Sequence, residues 1–254
     1  MELSEFADRL DERLDTGAFA GIDASANGLQ VAADVDCVDC AAFAVDGVVA
    51  TAEAAAGAGA DVLVVHHGIV WGGIERVTGR EYDRLAALLG NDLALYVSHL
   101  PLDAHPKFGN AAGLAAHLDC TVVEPFGEYD GETIGQRART SDPYTVEELR
   151  RRLEELETGG GPVRTLEFGP GEIEDVAIVT GAGADWIRSA AAAGVDALIT
   201  GEGKGQAYHE AREAGLNVFL AGHYATETFG VRALQELVDG WGIETTYVAH
   251  PTGL

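Results

Sequence analysis

Leu3, Phe6, Leu10 and Leu14 recur at the spacing of one helical face, which predicts an amphipathic helix at the start of the chain. Downstream the pattern changes to short apolar runs set between alanine-rich or charged stretches. It predicts a strand near 40–45, an alanine-rich helix near 51–59, and a buried parallel strand in Asp61-Val-Leu-Val-Val65. A helix near 80–89, a strand at 93–97 and a helix around 110–118 follow. The same rhythm resumes later: strand 175–180, helix 184–193, strand 195–200, helix 204–214, strand 217–221, helix 225–239 and strand 243–248. Strands alternating with helices imply βαβ units, so the expected fold class is α/β, with mostly parallel sheets flanked by helices.

The rhythm breaks in the middle. Residues 125–143 are rich in glycine, proline and charge, and Gly159-Gly-Gly-Pro162 is a second punctuation point. Between them the pattern predicts a helix with Ser141 or Asp142 as N-cap and Pro143 near its first turn. The pair Glu147 and Arg151, four apart, marks a solvated face on that helix.

Composition narrows the function classes. The chain has 254 residues, 16 basic and 42 acidic side chains, a formal charge of −26, and only two lysines, Lys107 and Lys204. That is room for one large α/β domain or two smaller lobes. A hydrophobic content of 47% and a mean hydropathy of +0.04 argue against disorder. A polyanionic surface repels DNA, RNA and anionic lipid. Molar salt, with a Debye length of roughly 3 Å, screens its self-repulsion. An acidic, lysine-poor surface of this kind predicts a halophilic cytoplasm. No uncharged apolar run is long enough to span a bilayer, and the charged first 15 residues resemble neither a signal nor a transit peptide, so a soluble cytoplasmic protein is expected. Cys37, Cys40 and Cys120 are too few for a disulfide framework. Cys37 and Cys40 form a C-x-x-C, but they sit in a run that reads as a strand and the approach to it, so their expected role is structural.

Several chemical motifs are absent. Gly201-Glu-Gly-Lys-Gly205 fails as a phosphate-binding loop because glycine follows Lys204, and Gly181-Ala-Gly183 lacks the third glycine of a dinucleotide fingerprint. Neither H-E-x-x-H nor G-x-S-x-G occurs. What remains are metal-type side chains just past strand ends, where ligands gather in parallel sheets. His66 and His67 follow the strand 62–65, and His99 and Asp103 follow 93–97. His223 and Glu227, four apart on one helical face, follow 217–221. Alone, each histidine is more often a turn or core residue and each carboxylate more often a helix cap. Three histidines and two carboxylates at three strand ends (His66, His67, His223, Asp103 and Glu227), with His99 beside them, make a metal site an equal contender. His105, His117, His209 and His250 lack comparable company, and His117 and His250 read as surface residues.

At these residues the chain resembles the NIF3-like family of dinuclear-metal proteins, whose members are named in many genomes as GTP cyclohydrolase 1 type 2 homologues. The matching stretches are Asn27-Gly-Leu-Gln-Val31, Ala60-Asp-Val-Leu-Val-Val-His-His-Gly68 and His99-Leu-Pro-Leu-Asp-Ala-His105. In the second half they are Ile199-Thr-Gly-Glu202 and Ala221-Gly-His-Tyr-Ala-Thr-Glu227. Glu202 departs from a more frequent aspartate, and Tyr224 from a histidine found in some members. The resemblance runs nearly end to end and implies the short form, without an inserted domain, the region around 125–172 being a helical linker in its place. It implies two α/β lobes, 1–124 with 223–254 and 125–222, within a single NIF3-like unit whose metal cleft lies between them. It further implies two metal ions held by His66, His67, Asp103, His223 and Glu227: His67 and Asp103 on one, His66 and His223 on the other, Glu227 bridging. Ring-shaped homohexamers are implied as well.

Imidazole and carboxylate ligands without thiolate suit zinc, iron, manganese or nickel. Two such ions activate water and clamp a carbonyl or phosphoryl oxygen, so the first expectation is a metal-dependent hydrolase using a metal-bridging water. The family name makes a purine nucleotide its small-molecule substrate. Arg76, Arg80 and Lys204 are the nearby phosphate-binding candidates, and His99 and Glu202 are proton-transfer candidates by position. The alternative is a non-catalytic metal-binding, metal-delivery or regulatory scaffold protein.

Overall fold

The computed structural model describes residues 1–254. In chain order the elements are α1 (Leu3–Leu14), β1 (Gly28–Val31), β2 (Cys40–Asp46), α2 (Val49–Gly57), β3 (Val62–His67), α3 (Arg80–Leu89) and β4 (Ala94–Val97). A short α4 (Leu100–Ala104) precedes α5 (Asn110–His117), β5 (Thr121–Tyr129), β6 (Glu132–Thr145), α6 (Val146–Glu154), β7 (Arg164–Leu166) and β8 (Glu172–Ile178). Then come α7 (Ile187–Ala193), β9 (Ala197–Thr200), α8 (Ala207–Ala214), β10 (Asn217–Leu220), α9 (His223–Thr226), α10 (Thr228–Asp239) and β11 (Glu244–Tyr247). No helix is long and apolar enough to cross a membrane.

Two compact units divide the chain, Met1–Leu102 with Gly230–His250, and Asp103–Phe229 with Pro251–Leu254. The boundaries expected from sequence are 124/125 and 222/223. The first of these falls inside β5, whereas the second falls in the connection between β10 and α9.

In the first unit a five-stranded sheet has the order β1-β4-β3-β2-β11, with only the edge strand β1 antiparallel. Its middle strands are apolar on both faces because helices cover both. Ala42, Ala44, Leu63, Val65, Leu95 and Val97 pack with Ala52 and Ala55 of α2 and Leu88 of α3. All four apolar positions of the amino-terminal stripe are buried in α1, as their spacing predicts. Tyr96, also fully buried, donates its hydroxyl to Asp11 Oδ1 at 2.7 Å; burial and that carboxylate together push its pKa far up.

The second unit has a six-stranded sheet of order β5-β6-β8-β9-β10-β7. Only β8, β9 and β10 run parallel, as the βαβ rhythm predicts; β5, β6 and β7 pair antiparallel, so this sheet is mixed. The stretch that reads as a break and a helical linker is largely the hairpin β5–β6. Tyr129 pairs with Glu132 across the two-residue turn Asp130-Gly131, with φ of 48° and 96°. Two successive positive φ values are what a tight hairpin demands, and Asp-Gly supplies them. Pro125 is tolerated because β5 is an edge strand.

The helix expected after Pro143 begins later than Ser141 or Asp142. Thr145 is its N-cap: Glu148 N donates to Thr145 Oγ1 at 3.3 Å, and Thr145 N donates to Glu148 Oε2 at 2.9 Å. This reciprocal T-x-x-E box satisfies two otherwise unpaired amides. His117, expected at the surface, is half-buried with its ring 5.8 Å from that of Phe229.

Candidate metal centre

The first unit gathers three imidazoles. β3 ends in His66 and His67, which strand alternation sends to opposite faces. His66 is fully buried, with Nδ1 2.9 Å from the Ser98 carbonyl. His67 Nδ1 lies 2.9 Å from Asp46 Oδ1, at the end of the neighbouring strand, where Asp46 and His67 are register partners. His99, just past β4, places Nδ1 2.9 Å from Asp23 Oδ1, and its backbone N donates to Asn27 Oδ1 at 2.7 Å. Burial, the largest single influence, would raise the Asp23 pKa, but the hydrogen bond and charge of His99 together with the bonds from Asn27 and Ser25 outweigh it, and the carboxyl falls to about 2. One potential ligand atom from each of His66, His67 and His99 lies within 4.8 Å of the others.

Gly68 closes this arrangement from behind. A Cβ there would come within 2.6 Å of both the Gln30 side chain and Val97, so the chain can turn only with glycine. Gln30 Oε1 accepts from Ile69 N and Val70 N at 2.9 and 3.1 Å, pinning the loop that follows the histidines.

The second unit gathers carboxylates and one imidazole. Asp103, in α4, is buried, and its Oδ1 accepts from Asn110 Nδ2 at 2.8 Å and Thr180 Oγ1 at 3.2 Å. His223 and Glu227 share a face as their spacing predicts, with Nε2 and Oε1 3.3 Å apart, and Glu202 Oε1 lies 3.3 Å from His223 Nδ1. Burial disfavours the charged ring of His223, but Glu227 and Glu202 outweigh it and push the pKa up to about 9. A carboxylate oxygen of Asp103 lies within 4.8 Å of one of Glu227. Gly181 backs the pair: at φ 58° a Cβ there would overlap Glu227 Oε1 and stand 3.1 Å from His223 Nε2. Gly181-Ala-Gly183, incomplete as a dinucleotide motif, is therefore the floor under two donors.

The donors suit a divalent metal. Each of the four histidines has Nδ1 facing an oxygen that can only accept: Ser98 O, Asp46, Asp23 and Glu202. In His66, His67 and His99 the proton is thereby held on Nδ1, and Nε2 becomes the lone-pair nitrogen, the tautomer that metal-ligating histidines carry. His223 faces a carboxylate at each nitrogen, Glu202 at Nδ1 and Glu227 at Nε2, so its ring holds both protons and would yield the one on Nε2 to a bound cation. Sequence reasoning misses Asp46, Asp23 and Gly181, none of which has a motif relation to the donors it serves. Among the expected phosphate-binding cations, Arg80 pairs with Glu81 and Lys204 with Asp185, while Arg76 is exposed.

These features define a two-sheet α/β protein with a histidine set in one unit and a carboxylate-rich set in the other. The chain belongs to the Duf34/NIF3 (NGG1p interacting factor 3) family, whose model matches residues 1–251. A relative from Halobacterium salinarum, named a GTP cyclohydrolase 1 type 2 homolog, is 55% identical over 100% of both chains. One of the same name from Pyrococcus abyssi is 43% identical, again over 100% of both. The crystal structure of TTHA1606 from Thermus thermophilus superposes with a TM-score of 0.91 at 34% identity, covering 100% of each chain.

Proposed function

We propose that the chain binds two divalent ions, with His66, His67, Asp103, His223 and Glu227 as ligands, and works as a metal-dependent hydrolase. The observation that carries this reading is the set of four histidines, each held at Nδ1, alongside two buried carboxylates. Zinc, iron, manganese and nickel all suit such donors. A metal pair would supply Lewis-acid activation of water and of a carbonyl or phosphoryl oxygen. The chain's own residues do the rest. Ser98 O and Asp46 orient His66 and His67, Glu202 orients His223, and Gly181 lets Glu227 approach without a side chain beneath it. His99, backed by the ionised Asp23, is placed to hold or move a proton at Nε2. The relatives' name supports a purine nucleotide as substrate. The reading extends to a ring-shaped homohexamer in a high-salt cytoplasm, which the family resemblance and the −26 charge support.

A second reading, metal binding or delivery without turnover, is favoured by one observation: Arg80 and Lys204 are already committed to ion pairs. One experiment separates the two. Protein purified in about 2 M KCl, where surface charge is screened, is taken through elemental analysis and a nucleotide and phosphoester hydrolysis screen. Two metal equivalents per chain and chelator-sensitive turnover are expected. Two tightly held equivalents without turnover on any substrate would favour the scaffold, and a chain with less than one equivalent would overturn both readings.

A further inference from the structure

The loop after the histidine pair carries Trp71, whose side chain is 43% exposed although it stands among ordered groups. Its position is fixed from several sides. The indole Nε1 donates to Gly68 O at 3.1 Å, and the residue forms an isolated bridge with Ser25. On either side, Gly72 N donates to Ala24 O at 2.7 Å and Ala26 N to Val70 O at 3.2 Å. The ring's aromatic neighbours are two of the clustered imidazoles. It meets His99 nearly edge-on, with centroids 5.0 Å apart at 77°, and lies 6.2 Å from His67.

The other two tryptophans have evident packing roles. Trp241 is held between the Phe6 ring and the Arg9 guanidinium, and Trp186 packs near Tyr129 and donates to Glu128 O. Trp71 instead offers a large aromatic surface to solvent beside the candidate ligands. Holding an exposed indole in one orientation has already removed the rotamer freedom that a flexible side chain would lose on binding.

We propose that Trp71 is the platform on which the planar heterocycle of the substrate stacks; this rests on the hydrolase reading above and names the part of the substrate recognised. The charge balance points the same way. A chain at −26, with Arg80 and Lys204 in ion pairs and Arg76 the one candidate of the three outside them, is poorly equipped to hold a nucleotide by its phosphates. A base offers a π-face whatever its charge, and stacking on an aromatic side chain is tolerant of sequence and needs no cation. It is also insensitive to the screening that weakens phosphate contacts in concentrated salt.

The test is calorimetric titration of guanosine, with ribose as the ring-free control, into the full chain and its Trp71→Phe and Trp71→Leu variants in about 2 M KCl. Both variants lose the Nε1 bond to Gly68 O, and leucine loses the π-face as well, so the comparison of phenylalanine with leucine isolates stacking. Saturable binding of guanosine but not ribose is expected, with affinity kept within about threefold in Trp71→Phe and weakened about tenfold in Trp71→Leu. Equal affinity in wild type and Trp71→Leu, or no saturable heat up to about 10 mM guanosine, would overturn the proposal. Elemental analysis of the same samples keeps the two readings apart. Two ions per chain with no dependence on Trp71 sinks the stacking alone. Stacking that depends on Trp71 in a chain without ions sinks the metal reading and leaves the platform standing.

Discussion

The two units gather metal-type side chains of opposite chemistry. The first presents imidazoles at the end of a parallel strand whose preceding residues are wholly apolar and buried. The second presents two buried carboxylates and one imidazole, next to a mixed sheet that is itself tied together by charge. In the first unit the acidic residues, Asp46 and Asp23, stand behind histidines and orient them. In the second the order is reversed for Glu227, which faces the His223 ring directly. Imidazole donors leave a metal's charge uncompensated, whereas carboxylates offset it. The second unit should therefore decide whether ions stay bound, and the first which geometry they take.

The largest expected effect tests that division. Glu227→Gln keeps the shape and one carbonyl oxygen but removes the negative charge, leaving bound cations poorly compensated. It should retain fewer metal equivalents per chain, by elemental analysis, than either His66→Ala or His67→Ala. The fold should survive, because Glu227 lies past the end of β10 and outside the apolar cluster of its unit. If Glu227→Gln kept two equivalents while a histidine variant lost both, charge would not be what separates the units.

A smaller effect is expected in the sheet itself. Arg137 donates from Nε and one terminal nitrogen to the two oxygens of Asp175, at 2.8 and 2.7 Å, and Arg139 adds a third bond at 2.6 Å. Burial of Asp175 raises its pKa, but the two arginines outweigh it and hold the carboxyl below its usual range. A depressed folded-state pKa contributes stability that is present above the unfolded value near 3.9 and is lost as pH falls through the folded value. Arg137→Ala leaves a buried carboxylate with one largely exposed partner, at a cost of about 2 kcal/mol at pH 7. Denaturation in concentrated salt should show that penalty shrinking as pH drops from about 5 toward 2. A penalty constant over this range would mean that Arg137 acts by packing alone. The central strands of the first unit carry no arginine, and hence no arginine–carboxylate pair of this kind.

The same contrast explains what could be read from the sequence. Strands buried on both faces are written as unbroken apolar runs, so β2, β3 and β4 and the alternating helices of the first unit were legible, as were β8, β9 and β10. The hairpin β5–β6 was not. Pro125, Gly127 and Gly135 look like breakers, and Arg137 and Arg139 look like solvated charge, although their partner Asp175 lies on the next strand of the sheet. The Asp130-Gly131 turn was a signal available to a reader who expected strands on either side of it. In the candidate site the side chains at and just past the ends of apolar strands stood out as metal-type candidates, and it was the family resemblance that singled out five of them as ligands. Their supports did not stand out: Asp46 is 21 residues from His67 and Asp23 is 76 from His99, separations that only the tertiary fold closes. Gly181 was invisible for a different reason, since what matters there is the space a missing side chain leaves.

The smallest expected effect bears on a helix whose cap the sequence placed too early. Ser141 and Asp142 are good capping residues by type, yet both lie within β6, and the Ser141 hydroxyl meets only the Asp142 side chain, at 3.3 Å. Thr145 sits where the chain leaves the sheet, with extended backbone at φ −73° and ψ 159°, and its hydroxyl oxygen reaches the amide three residues on. Capping depends on where the strand ends, and the strand ends where Thr145 pairs with Glu172 at the margin of β8. Thr145→Ala removes a side-chain acceptor for a helix amide and should cost about 1 kcal/mol. Ser141→Ala removes nothing that the helix uses and should stay within about 0.5 kcal/mol of wild type. Urea denaturation at a common slope reads both. Were Ser141→Ala the costlier change, the helix would begin where its sequence alone suggests, and the strand that displaces that start would be the weaker of the two elements.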